Sequence, residues 1–230
     1  MTSSGACKWL FVIGPGRSGT TPARFLLNAH PKCFIMHEGL FVRQFLQAER
    51  TKRRVQIAHH DLIAPVEDGK PERHWVATKQ YVWTPGVEDA PDAYGACLAL
   101  RDTYPPVDVF GDKLPGANGD WRRITQLLPG SRFIVTLRDE AEILKSIERR
   151  AERDVRFKQI MAKRGDNAHH VQQSLKHAQD CAEATGACVV QGDDLDKHDV
   201  QRMLKHAGLD ESMYHWDKAE IILSEGVRVS

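Results

Sequence analysis

The segment Gly14-Pro15-Gly16-Arg17-Ser18-Gly19-Thr20-Thr21 gathers glycines, hydroxyls and one cation within eight residues. Its spacing is that of the phosphate loop G-x-x-x-x-G-K-[ST], with Thr20 standing where the lysine belongs. An apolar run at residues 8–13 precedes it and a helix-forming stretch follows. In that order the glycines let the backbone wrap an anion, and successive amides plus the helix N-terminus bind phosphate. Ser18, Thr20 and Thr21 offer hydroxyls, and Arg17 puts a positive charge inside the loop. The absent lysine normally reaches the outer phosphates of a triphosphate, so its loss favours a ligand with a shorter anionic chain over ATP or GTP. A plain strand-to-helix turn would explain one Gly-rich stretch. It does not explain strand, helix and hydroxyl cluster together.

The stretch IGPGRSGTT closely resembles the 5′-phosphosulfate loop of sulfotransferases that use 3′-phosphoadenosine 5′-phosphosulfate (PAPS), nearest their carbohydrate/tyrosyl and bacterial branch. The resemblance implies a three-layer, P-loop-like α/β fold and transfer of a sulfonate to a hydroxyl or amine. It implies that Arg17 contacts the sulfonate and its leaving phosphate, and that Ser18, Gly19, Thr20 and Thr21 form the phosphate cradle. The family's second signature is a strand-end Arg followed eight residues later by a helix Ser, both on the 3′-phosphate. Arg138 and Ser146 have that spacing, although Glu140 and Ile143 replace the usual Pro and second Arg. A strand-end guanidinium and a hydroxyl in the next helix can converge on one phosphate. His30-Pro31 and the short strand after it resemble the segment that leads to the family's general base, which falls on Glu38. His37 is the rival base, since its free pKa lies nearer 7. Strand alternation would point only one of this pair at a site. Asp112-Lys113-Leu114-Pro115 resembles a D-K-x-P segment, implying that Lys113 shares charge stabilisation with Arg17. The implied reaction is in-line displacement: PAPS as donor, adenosine 3′,5′-bisphosphate (PAP) as product, no metal. Two alternatives stay open. One is a P-loop kinase or NTPase with a degenerate loop, the other a non-catalytic nucleotide-binding module.

The elements that must position these residues are legible from pattern. The 230 residues suit one domain, and 41% hydrophobic with 27% charged residues supports a folded core. Lys plus Arg is 32 against 31 Asp plus Glu, which argues against a nucleic-acid binder. No apolar run nears the ~20 residues of a membrane span, and no secretory signal is visible, so a soluble cytoplasmic chain is expected. Cys7, Cys33, Cys97, Cys181 and Cys188 are odd in number and widely spaced, which suits reduced core thiols. The doublets His59-His60 and His169-His170 lack partners at ligand spacing and read as surface residues.

Apolar runs at 8–13, 33–36, 107–112, 131–137 and 187–191 predict five strands. Helical spacing falls at 19–29, 39–54, 120–128, 140–164, from Asn167 to Gly186, and at 197–207. Strands alternating with helices predict a mainly parallel sheet of about five strands flanked by helices, with ligands at the strands' carboxyl ends. Residues 55–106 hold six prolines and no sustained period. They are expected to form short helices and loops, an irregular cap or substrate-side insertion within one domain spanning 1–230. The nine Lys/Arg against six Asp/Glu in 138–164 read as a solvated helix face. The expected acceptor is a small molecule or carbohydrate; neither a nucleic-acid nor a membrane partner is expected, and the oligomeric state is not legible in the sequence.

Overall fold

The structure, a computed structural model, describes residues 8–51, 57–60, 79–82, 89–102, 107–116 and 120–225. Five strands form the central sheet: β1 (Lys8–Gly14), β2 (Cys33–His37), β5 (Val109–Pro115), β6 (Arg132–Leu137) and β7 (Cys188–Gln191). Their order is β2-β5-β1-β6-β7, and every pairing is parallel. All five carboxyl ends therefore lie along one edge. The chain steps from one side of β1 to the other, so the switch point falls at the end of β1. A separate antiparallel pair joins β3 (Ile57–His60) to β4 (Lys79–Val82).

Side-chain alternation divides the core. Trp9, Phe11 and Ile13 of β1 join Phe34, Met36, Phe110 and Phe133 on one face. That face is covered by α2 (Phe41–Thr51), α3 (Ala93–Asp102), α4 (Trp121–Leu127) and α7 (Asn167–Thr185). Leu10 and Val12 join Ile35, Ile134 and Val190 on the other, under α1 (Thr20–Asn28), α8 (Lys197–Ala207) and α9 (Trp216–Glu225). Burying each such Phe, Leu or Ile contributes roughly 1.5–3 kcal/mol. Strands buried on both faces read as continuous apolar runs, which is why residues 8–13 and 131–137 were so legible.

Residues 140–164 form two helices, α5 (Glu140–Arg153) and α6 (Val155–Arg164). Asp154 ends the first in an extended conformation, and its side chain accepts from the Phe157 amide to start the second. Asp166 caps α7 by accepting from the His169 amide. Within 55–106 the expectation of helices and loops is met by α3 but corrected by the β3–β4 pair. Residues 55–56, 61–78, 83–88 and 103–106 of that segment lie outside the described residues. The α9 helix was not foreseen. It is anchored where the Tyr214 hydroxyl donates to the Leu26 carbonyl at 2.7 Å and Ala219 packs into the core. Cys33, Cys97, Cys181 and Cys188 are buried free thiols, and Cys7 lies outside the described residues. Among the described residues no helix is long and apolar enough to cross a membrane.

Candidate functional site

The loop after β1 is stabilised from within. The Ser18 amide donates to the Pro15 carbonyl at 3.2 Å, and the Ser18 hydroxyl approaches the same oxygen at 2.7 Å. That hydroxyl is fully buried and also donates to the Thr136 carbonyl at 3.1 Å. The expected Ser18 hydroxyl in a phosphate cradle is therefore corrected: it ties the loop to β6, and the Ser18 amide is itself engaged by the Pro15 carbonyl. Gly19, with φ 92°, precedes α1 and gives it no side-chain cap, and the first turn holds no acidic residue. By contrast, Asp139, Asp154, Asp166 and Asp196 each close a helix with a carboxylate. The α1 N-terminus thus keeps amide donors and a positive dipole end for an anion. Thr20 is buried in its first turn and Thr21 is half-buried. A Cβ on Gly19 would meet Gly192 at 2.3 Å, so the segment after β7 packs backbone to backbone against the loop.

Arg17 adopts φ 73°, a left-handed conformation that costs a non-glycine residue about 1–2 kcal/mol. Its Nε–H donates to the Ser146 hydroxyl at 3.1 Å, joining the loop to α5. Arg138 lies beside them, its guanidinium 3.5 Å from the Arg17 carbonyl and 3.4 Å from the Asp193 carboxylate. Its other edge faces Glu142 at 3.6 Å. Partial burial holds the Arg17 guanidinium below its ordinary pKa, and the charges of Arg150, Arg138 and Arg149 push the same way. Four guanidiniums thus share one field, an arrangement that suits a multiply charged anion. Glu140 is turned toward α7, accepting from the Gln172 amide at 2.8 Å, and Ile143 is fully buried.

The second group sits at the ends of β2 and β5, whose register pairs His37 with Lys113. Lys113 is 1% exposed, and its ammonium lies 2.5 Å from Glu38 Oε1. Burial pulls the Lys113 pKa down, Glu38 opposes that pull, and Arg24 adds to it. The Glu38 amide donates to the Lys113 carbonyl at 3.1 Å. Glu38 and Leu40 have φ of 58° and 51°, so the chain leaves strand geometry there. Strand alternation fails for that reason: His37 Nε2 lies 3.9 Å from Glu38 Oε1, and both candidate bases share one locality. The buried Asp112 accepts from the Gly39 amide at 3.1 Å and from the Leu40 amide at 2.7 Å. Arg24, buried in α1, donates to the Ile35 carbonyl at 2.7 Å. A small cleft beside this turn is lined by Leu40, Arg43, Asp112, Leu114 and Asp120.

The fold brings the expected residues to the carboxyl edge, in two groups: Arg17, Ser18, Gly19, Thr20, Thr21, Arg138 and Ser146, then His37, Glu38 and Lys113. Sequence reasoning gave no site role to Arg149, Arg150 or Gly192, and named Asp112 only as part of the D-K-x-P segment. The excess of positive charge in 138–164 was the available signal for the two arginines. Among the described residues, no group of three or more His, Cys, Asp or Glu could hold a metal ion.

A five-stranded parallel sheet flanked by helices, with an uncapped helix after its central strand, defines an α/β protein. The model of the sulfotransferase family matches residues 10–212, and the chain belongs to that family. The crystal structure of sulfotransferase STF9 from Mycobacterium avium is similar in fold, with a TM-score of 0.56 at 14% identity, covering 96% of this chain and 69% of that one. No curated protein sequence matches the chain. The family implies a sulfonate donor and sulfotransfer as the general activity.

Proposed function

We propose that the chain transfers the sulfonate of PAPS to a hydroxyl or amine on a small-molecule or carbohydrate acceptor. The observation that carries this reading is the Arg17–Ser146 contact, which joins the uncapped phosphate loop to the second arginine-bearing strand end. A donor with phosphates on both 5′ and 3′ positions matches two adjoining anion sites fed by four guanidiniums. The α1 amides, Gly19, Thr20 and Thr21 would hold the 5′ side. Arg138 and Ser146 would hold the 3′ side, with Arg149 and Arg150 supplying charge that Ile143 does not. PAPS supplies an activated sulfonate on a good phosphate leaving group.

Glu38 takes the acceptor's proton as the acceptor attacks sulfur in line with the departing phosphate oxygen. Lys113 holds the Glu38 carboxylate in place. Once Glu38 is protonated that pairing weakens, and the ammonium turns to the negative charge that develops nearby. Arg17 stabilises charge on the leaving oxygen. Little covalent work falls to the protein, as in phosphoryl transfer.

A thermal-shift titration tests the donor. A ligand that binds only the folded chain stabilises it by about 2.7 kcal/mol at a hundred times its Kd. PAP should raise Tm at lower concentration than AMP, and ATP with Mg²⁺ should do no better than AMP. The reverse ranking would favour the kinase reading.

A further inference from the structure

Two successive residues of β5 grip the turn that carries the candidate base. Asp112 takes the amides of Gly39 and Leu40, one on each carboxylate oxygen. Lys113 takes the Glu38 amide on its carbonyl and the Glu38 carboxylate on its ammonium. The turn gripped in this way contains two non-glycine residues with positive φ, which local backbone preference disfavours. Something beyond the turn must hold it, and Asp112 makes the contacts that do so. Its side chain is 1% exposed, so water cannot substitute for either amide.

We infer that Asp112 is a positioning residue for sulfonate transfer: its carboxylate locks residues 38–40 in their left-handed course and so sets the Glu38 carboxylate against Lys113. The inference rests on the reading of Glu38 as base. Charge type is the crux. An ionised carboxylate offers an acceptor to both amides, whereas an amide side chain of the same shape presents N–H to one of them. A buried amide left facing a donor is strongly disfavoured. Burial pushes the Asp112 pKa up to about 7, against the pull of the Gly39 and Leu40 amides and of Lys113. The charged groups that act on it are Lys113 on β5 and Arg24 on α1. Arg43 of α2 and Asp120 at the start of α4 share its cleft. The lock therefore completes as pH rises through neutrality.

The test is Asp112→Asn in the full chain, assayed by PAPS hydrolysis where no acceptor is in hand. Displacing a reacting group by about 1 Å costs up to ~10²-fold, so turnover should fall roughly 10- to 100-fold with PAP affinity unchanged. Three further readouts separate positioning from general damage. On a Glu38→Gln background the substitution should cost nothing more, because it acts through Glu38. Adding Leu40→Gly to Asp112→Asn should recover part of the loss, since glycine adopts that φ unaided. Amide hydrogen exchange at Gly39 and Leu40 should accelerate in Asp112→Asn. Unchanged turnover, an equal loss on the Glu38→Gln background, or no recovery with Leu40→Gly would overturn the inference. If Glu38→Gln itself turns over normally, the base reading fails, and retained protection of both amides in Asp112→Asn would separately remove the lock. Should Asp112→Asn not fold, the wild-type chain answers by NMR. The Gly39 and Leu40 amide protons should titrate together with a carboxylate, and independent behaviour would overturn the proposal.

Discussion

The loop after β1 and the turn after β2 are both left-handed departures at a strand end, yet they are held in different ways. Arg17 takes its positive φ inside a loop closed by Ser18 on Pro15, three residues away. Glu38 and Leu40 take theirs against Asp112 and Lys113, more than seventy residues away. Charge differs as well. Beside the loop the guanidiniums of Arg17, Arg138, Arg149 and Arg150 act on one another, whereas at the turn the buried Lys113 and Arg24 lie near the buried Asp112 and the half-exposed Glu38 carboxylate. The comparison teaches that a binding surface can be encoded in one contiguous motif. A candidate base is here held in place by a neighbouring strand.

The sharpest break of that comparison is Glu38→Gln. It keeps the shape of the turn and removes its basicity, so kcat should fall by about 10²–10⁴ while PAP affinity holds. A variant that keeps full turnover while His37→Ala loses it would move the base to His37. If neither changes even slow PAPS hydrolysis, the non-catalytic alternative gains. Arg17→Ala probes the other side. Charge on the leaving oxygen grows only in the transition state, so kcat should drop roughly 10²–10³-fold, more than the cofactor Kd rises. Loss of affinity alone would make Arg17 purely a binding residue.

A smaller effect is expected of Arg138→Ala. Removing one charge-assisted phosphate contact costs about 1.5–3 kcal/mol, and it should appear for PAP and not for AMP in parallel titrations. Equal weakening of both would take Arg138 off the 3′-phosphate. The smallest effect is in pH and stability. Asp112 titrates near 7 in the folded chain against an ordinary 3.8, because burial disfavours its charge. Between those values the folded chain holds a proton that the unfolded chain has released. Its contribution is therefore full below about pH 4 and is lost as pH rises through about 7. Urea midpoints of wild type, measured relative to Asp112→Asn, should decline across that window. A flat difference would mean that Asp112 is ionised throughout.

Much of this was legible in the residues. The GPGRSGTT loop could be read because glycine freedom, a run of hydroxyl residues and the strand–helix order act over a few positions. The same holds for the α8 helix, bounded by Asp196 and Gly208, and for the strand at 131–137. The antiparallel pair of β3 and β4 and the terminal α9 escaped because their apolar residues keep no sustained period. The Ser18 hydroxyl was misassigned since sequence cannot tell whether a loop side chain turns toward ligand or toward the strand beneath, here Thr136. Nor could it show that Glu140 would be engaged by Gln172 or that Arg149 and Arg150 would stand beside Arg17.

The sequence by itself determined the five central strands, most of the helices between them, the glycine-rich loop and the identity of the two arginine-bearing strand ends, because each depends on neighbours within a turn or two of backbone. The tertiary structure alone decided the strand order, and with it every long-range pairing: Arg17 with Ser146, Gly19 with Gly192, Glu38 with Lys113 and Asp112 with the turn at 38–40. The physical reason is that hydrophobic burial sets which strands lie side by side without regard to their separation in the chain. Side by side, β2 and β5 bring together charges that no local pattern announces.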